Sequence, residues 1–184
     1  MEFTGERYIP NPDQPSYDSP ALYVQMKFEH WHRYALSLPY VSGKQVLDIA
    51  SGEGYGSALL AGQAASVTGV DIAPEAIAHA SNAYKERKNL KFMQGACEAI
   101  PLPDAAVDIV TSFETIEHHD QHEEMVSEIK RVLQPGGLLL LSFGPPWGHP
   151  HGKHMWTQLP GWWTHLLFPR PVVLALMAVL SLAV

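Results

Sequence analysis

Two carboxylates and a run of glycines are the residues whose types and spacing most directly imply chemistry. Asp48 precedes Ala50-Ser51-Gly52-Glu53-Gly54-Tyr55-Gly56, and Asp71 follows one strand later. Glycines let the backbone turn sharply and let a ligand rest against main-chain N–H groups at a helix N-terminus. An acidic side chain at the end of the next strand can accept hydrogen bonds from both ribose hydroxyls, each worth roughly 1.5–3 kcal/mol. The pattern reads as a site where a nucleoside, or an amino acid attached to one, docks. Asp71 can equally cap the helix that begins near Pro74, and the two roles are compatible. Asp48 suits a ligand bearing an ammonium group and opposes a pyrophosphate. The dinucleotide fingerprint G-x-G-x-x-G would need a third glycine where Ser57 stands, so a nicotinamide-dependent oxidoreductase is the weaker alternative.

A second group, Glu114-Thr115-Ile116-Glu117-His118-His119-Asp120, follows the fourth strand. It lies at the carboxyl edge of the expected sheet, where ligands bind in this fold class. Histidine titrates near neutral pH and can take a proton from a hydroxyl nucleophile, which makes His118 the first candidate base and His119 the second. Both can instead cap the strand and helix or sit in solvent. A third group holds His149, His151 and His154 among Pro145, Pro146, Trp147 and Pro150. No Cys or carboxylate completes a ligand set there, so no metal site is expected. With Trp156, Trp162 and Trp163 the segment reads as a binding loop offering flat surfaces and hydrogen bonds, or as tryptophans that close the core. The lone Cys97 excludes an internal disulfide, fits a reducing compartment, and reads as a small loop residue.

These residues need a scaffold, and the chain supplies one. Gln45 to Ile49, Ser66 to Val70, Leu90 to Gln94, Val107 to Ser112 and Leu138 to Phe143 are apolar segments of strand length. Helical patterns separate them over Gly56 to Gly62, Pro74 to about Glu86, and Gln121 to Leu133, where Pro135-Gly136-Gly137 stops the last. Lys85 to Lys88 reads as a solvated helix end. The alternation specifies an α/β fold with a parallel sheet covered on both faces. Ser19-Pro20 opens a further helix to about Leu36. Residues 1–19, with Pro10, Pro12 and Pro15, form an extended arm. The expected organisation is this arm, a cap helix over 20–43, a core over 44–143, and a segment 144–184 on the ligand side.

The segments VLDIASGEGYGSALL, VTGVDIAPEAIAHA, FETIEHH and IKRVLQPGGLLLLS resemble, in order, the motifs of class I S-adenosylmethionine-dependent methyltransferases. FTGERYIP and FEHWHRY resemble the amino-terminal part of bacterial members. The resemblance, over roughly Lys44 to Ser142, implies a Rossmann-like three-layer αβα sandwich with a mostly parallel sheet and S-adenosyl-L-methionine as cofactor. It implies that Gly52 and Gly54 line the methionine part, that Asp71 holds the ribose, that Phe113 ends the fourth strand beside the cofactor, and that Asp48, Ala50, Ser51 and Ile72 also belong to the cofactor site. Two positions depart from the pattern. Ala50 replaces a glycine and asks for negative φ, and Ala96 stands where an acidic residue would meet the adenine amino group, leaving that contact to Cys97 and Glu98. The sheet of such enzymes continues for two more strands, so the chain reads as a fragment with an uncovered far edge. The implied reaction is transfer of a methyl group to a small-molecule or carbohydrate-type acceptor, an in-line displacement that rests on alignment and exclusion of water. A non-catalytic cofactor-binding remnant is the alternative.

Charge and hydropathy narrow the partners. A net charge of −7, from 12 basic and 19 acidic residues, repels phosphate backbones, so nucleic acid is not an expected partner. The amino terminus has no apolar stretch behind a basic start, which points to the cytoplasm. The apolar run from Val172 to Val184 is shorter than the roughly 20 residues a membrane span needs. Membrane contact through it is the secondary reading. Oligomeric state is not legible.

Overall fold

The computed structural model describes residues 20–144. The expected arm over 1–19, the histidine and tryptophan segment and the apolar run lie outside the described residues. The chain divides after Ser142, and the fold below is that of the first unit.

The apolar runs assemble as one sheet. Strands β1 (Gln45–Ile49), β2 (Ser66–Asp71), β3 (Leu90–Gln94), β4 (Val107–Phe113) and β5 (Leu133–Ser142) lie in the order β3-β2-β1-β4-β5. All four pairings are parallel. The order reverses between β1 and β4, leaving a crevice at their carboxyl ends. Helices α1 (Pro20–Val41), α2 (Tyr55–Leu60), α3 (Pro74–Ala83) and α4 (His122–Val132) complete the domain, with a 3-10 turn at Ile116–His118.

Side chains alternate between two cores, giving the three-layer α/β sandwich. On one face Val46, Val67 and Ile109 pack with Tyr34 and Val41 of α1 and Leu60 and Ala61 of α2. On the other, Leu47, Ile49, Val70 and Val110 pack with Met125, Ile129 and Val132 of α4 and with Ile100. The loop over residues 95–106 thus covers part of a face. Arg131 of α4 holds it, donating to the carbonyls of Leu102 (2.8 Å) and Ile100 (3.0 Å) and to Asp104 (2.9 Å). Glu128 accepts from the Ile100 N–H at 2.9 Å.

Several boundaries differ from expectation, most by a single residue. Helix α1 runs on to Val41 through Pro39, because Tyr34, Ser37 and Val41 bury one side of it against the sheet. Helix α2 spans Tyr55–Leu60. Helix α3 ends at Ala83, and the Arg87 guanidinium beyond it reaches the Ala58 carbonyl at 3.0 Å. The strand after α4 begins at Leu133, not after the Pro-Gly-Gly stop. Leu133 pairs with Val107 and Leu138 with Ile109, so Gln134 to Gly137 bulge opposite Asp108. Gly136 at φ 81° takes the turn.

Candidate functional site

The chain leaves β1 through a turn that contains three left-handed residues: Ala50 at φ 55°, Gly52 at φ 53° and Gly54 at φ 81°. Ala50 therefore does not keep the negative φ its side chain prefers. The Ser51 N–H continues the sheet onto the Val70 carbonyl (3.0 Å) and the Gly54 N–H closes onto the Ser51 carbonyl (3.0 Å), which, with Ile49 paired to Val70 and to Ser112, fixes the backbone on both sides of the alanine. A left-handed L-residue costs roughly 1–2 kcal/mol. The glycines have separate reasons. A Cβ on Gly54 would stand 2.5 Å from the Phe92 ring and 2.9 Å from the Ala80 Cβ, whereas a Cβ on Gly52 would meet nothing within 4 Å. Gly54 makes the turn fit the domain, and Gly52 opens onto free space above it.

Asp71 is tied to the same turn. Its Oδ2 accepts the Gly52 N–H at 2.7 Å and its Oδ1 the Ala73 N–H at 2.9 Å. Asp71 thus both guides the entry to α3 and orients the glycine turn. Ile72, next to it, is 46% exposed, an apolar platform at the sheet edge. The Ser51 hydroxyl is buried with no hydrogen-bond partner among the described residues.

Asp48 is turned inward. It is fully buried and surrounded by hydroxyls: Ser57 donates at 2.6 Å, Thr111 at 2.7 Å, and Tyr34 at 3.3 Å to both oxygens. Burial pushes its carboxyl up to about 6, against the opposing pull of those hydrogen bonds. Burial, followed by the Asp48 charge, also raises the Tyr34 hydroxyl well above its ordinary value. Phe113 packs edge-on to Tyr34, with ring centroids 4.9 Å apart.

The loop after β3 and the segment after β4 meet at one place. His119 is almost fully buried, its Nε2 3.4 Å from Glu98 Oε2 without hydrogen-bond geometry. Cys97 packs against the core, and burial, then the charges of Glu98 and Asp71, pushes its thiol up to about 12. Ala96 pairs with Ala99 in a short bridge. His118 ends the 3-10 turn and is half-buried. Among the described residues no group of His, Cys, Asp and Glu could hold a metal ion, and no helix is long and apolar enough to cross a membrane.

Several residues of this edge carried no sequence signal. Tyr34 looked like one more apolar position of α1, and Ser57 like a failed glycine. Thr111 looked like strand filler, and Glu114 stood at the head of the second group with no role of its own. A helix face bearing His30, Arg33, Tyr34 and Ser37 at helical spacing is the pattern that could have marked α1 as a polar partner of the site. Indeed Tyr55 and His30 share a hydrogen bond at 3.0 Å, and Arg33 pairs with Glu114 at 3.4 Å.

A parallel sheet of this order, with a glycine turn at its switch point and an acid after β2 bonded to that turn, defines a Rossmann-like ligand-binding domain. The methyltransferase-domain family matches residues 47–141, and the chain belongs to this family of S-adenosylmethionine-dependent methyltransferases. It is 35% identical over 147 residues to a Mycobacterium tuberculosis protein named "Probable S-adenosylmethionine-dependent methyltransferase", covering 77% of this chain and 48% of that one. It is 36% identical over 121 residues to the demethylmenaquinone methyltransferase of Thermus thermophilus, covering 63% and 55%. The fold matches the YcgJ protein of Bacillus subtilis with a TM-score of 0.58 at 31% identity, over 61% of this chain and 50% of that one. The chain spans about half the length of these relatives.

Proposed function

We propose that the domain binds S-adenosyl-L-methionine along the carboxyl edge of β1 and β2 and passes its methyl group to a small-molecule acceptor. The observation that carries this reading is the Asp71 to Gly52 hydrogen bond. It sets the acid expected to meet the ribose and the glycine expected to lie beneath the methionine part side by side, with open space over Gly52. The residues fit the cofactor in other respects. Ile72 offers an apolar face to the adenine, the Ser51 hydroxyl is a buried polar group with no hydrogen-bond partner among the described residues, and Glu98 is a polar side chain on the adenine side.

The bound cofactor would supply an activated methyl group. The chain's own part is alignment. Asp48, held by three hydroxyls, would act on the cofactor's ammonium through its field and by fixing the turn, since its oxygens are already occupied. Cys97 and Ala96 would line the adenine side by their backbone, and Phe113 would wall the methyl side. Proton removal from the acceptor was expected of His118 or His119. The burial of His119 against Glu98 favours a positioning role for it. A small-molecule acceptor is supported by the relationship to a demethylmenaquinone methyltransferase and by the net charge of −7, and a carbohydrate-type acceptor belongs to the same class.

Calorimetry with S-adenosylhomocysteine tests the site. Binding is expected for the native protein and a loss of tenfold or more, about 1.4 kcal/mol, for Asp71→Ala. A folded sample that does not bind, or a variant that binds unchanged, overturns the assignment. Transfer of labelled methyl groups to an acceptor in a cell extract would exclude a purely cofactor-binding role.

A further inference from the structure

Glu114 is the first residue past β4 and has a left-handed backbone, at φ 51°. Such a conformation in a residue with a long side chain is strained and persists only where the surroundings impose it. Here they do. Its N–H donates to the Ser142 carbonyl at 3.1 Å, and its Oε1 accepts the Ser142 hydroxyl at 3.0 Å and faces Arg33 of α1 at 3.4 Å. One carboxylate oxygen is thus anchored from β5 and α1, while Oε2 makes no hydrogen bond among the described residues. The side chain is three-quarters buried, so this acceptor atom is held in place.

Its place is the switch point. Ile49 pairs with Ser112, so the chain beyond β1, the glycine turn, and the chain beyond β4, Phe113 and Glu114, leave the sheet side by side. We propose that Glu114 is the group that reads and deprotonates the methyl acceptor, which is then a neutral protic nucleophile, a hydroxyl or an amine. The proposal rests on the cofactor reading above. In the step, the acceptor oxygen or nitrogen bonds to the methyl carbon while the carbon–sulfur bond breaks with its electron pair left on sulfur. The acceptor proton passes to Glu114 Oε2 and then to water. A carboxylate acceptor has no proton to hand over and would meet Oε2 lone pair to lone pair.

The test needs no knowledge of the acceptor. Sinefungin replaces the methyl-bearing sulfonium with an amine-bearing carbon, so its ammonium points where the acceptor would stand. Calorimetry of the full chain should show sinefungin favoured over S-adenosylhomocysteine by about tenfold, the scale of one charge-assisted hydrogen bond. Glu114→Gln should abolish that preference and leave S-adenosylhomocysteine affinity within about twofold, a difference too small to reflect a lost hydrogen bond. Glu114→Gly, which also relieves the backbone, should do the same and serves if the glutamine variant does not fold. A preference that survives both substitutions, or is absent from the native protein, overturns the proposal. If the native protein binds neither compound, the cofactor reading itself falls.

Discussion

The Ser57 hydroxyl donates to Asp48 Oδ2 at 2.6 Å, tying the first turn of α2 back to the strand that precedes the glycine turn. Tyr34 and Thr111 add ties from α1 and β4 to the same carboxylate. One buried acid therefore joins four elements at the carboxyl edge of the sheet.

That burial has a measurable sign. The Asp48 carboxyl sits at about 6 in the folded chain and near 3.9 when unfolded. The native state holds the proton more tightly, so this group costs nothing below about pH 4 and destabilises progressively as pH rises to 6. The full cost above that is on the order of 3 kcal/mol. Asp48→Asn carries no such titration. Urea unfolding at pH 4, 5, 6 and 7 should show the native protein losing stability relative to the variant across that interval. Parallel profiles would show that the hydroxyls already compensate the buried charge.

The turn offers a pair of opposite substitutions. Ala50→Gly relieves a left-handed alanine and should raise stability by about 0.5–1 kcal/mol, after the entropy of the more flexible unfolded chain is counted. Gly54→Ala places a methyl against the Phe92 ring at 2.5 Å and keeps φ at 81°. It should cost about 2–4 kcal/mol through overpacking and backbone strain together. Thermal melts of both variants check the ranking, and a stabilised Gly54→Ala would mean that Phe92 yields easily.

The sheet was legible because its central strands β1, β2 and β4 are buried on both faces and are therefore mostly apolar, while the half-exposed β3 and β5 still carry runs of strand length. The glycine turn and Asp71 were legible because close backbone approach restricts residue type. The Asp48 cage was not. Ser57, Thr111 and Tyr34 are distant in sequence and individually ordinary, and only the parallel register that sets Thr111 beside Asp48 unites them. Glu114 was legible as a member of its group but its own role was not, since its left-handed backbone and its anchorage to Ser142 and Arg33 are properties of the packed edge. The start of β5 at Leu133 escaped because Pro135-Gly136-Gly137 signals a stop whether it ends a helix or makes a bulge.

Arg131 should prove the main fastener of the 95–106 loop. Its guanidinium serves two backbone carbonyls and two carboxylates at 2.7–3.0 Å, a planar geometry that an ammonium cannot copy. Arg131→Lys is expected to cost about 1–2 kcal/mol in urea unfolding, through lost hydrogen bonds more than lost charge. A near-neutral result would assign the loop's position to its apolar contacts alone.

Cys97 provides the readout for that loop. Its thiol, part of the loop Arg131 holds, packs against the core, and burial pushes it up to about 12. At pH 8 the thiolate fraction is then smaller than that of an ordinary exposed cysteine by about a thousandfold, and reaction with a disulfide reagent slows, though by less than that factor because a thiolate of higher pKa is the stronger nucleophile. Native protein should consume the reagent only as slowly as the loop opens, and full reaction should require denaturant. Arg131→Lys, by loosening the loop while leaving the cysteine itself unchanged, should accelerate labelling several-fold while the far-ultraviolet spectrum stays native. Rapid labelling of the native chain would mean that the loop opens freely at the edge where the adenine is proposed to bind.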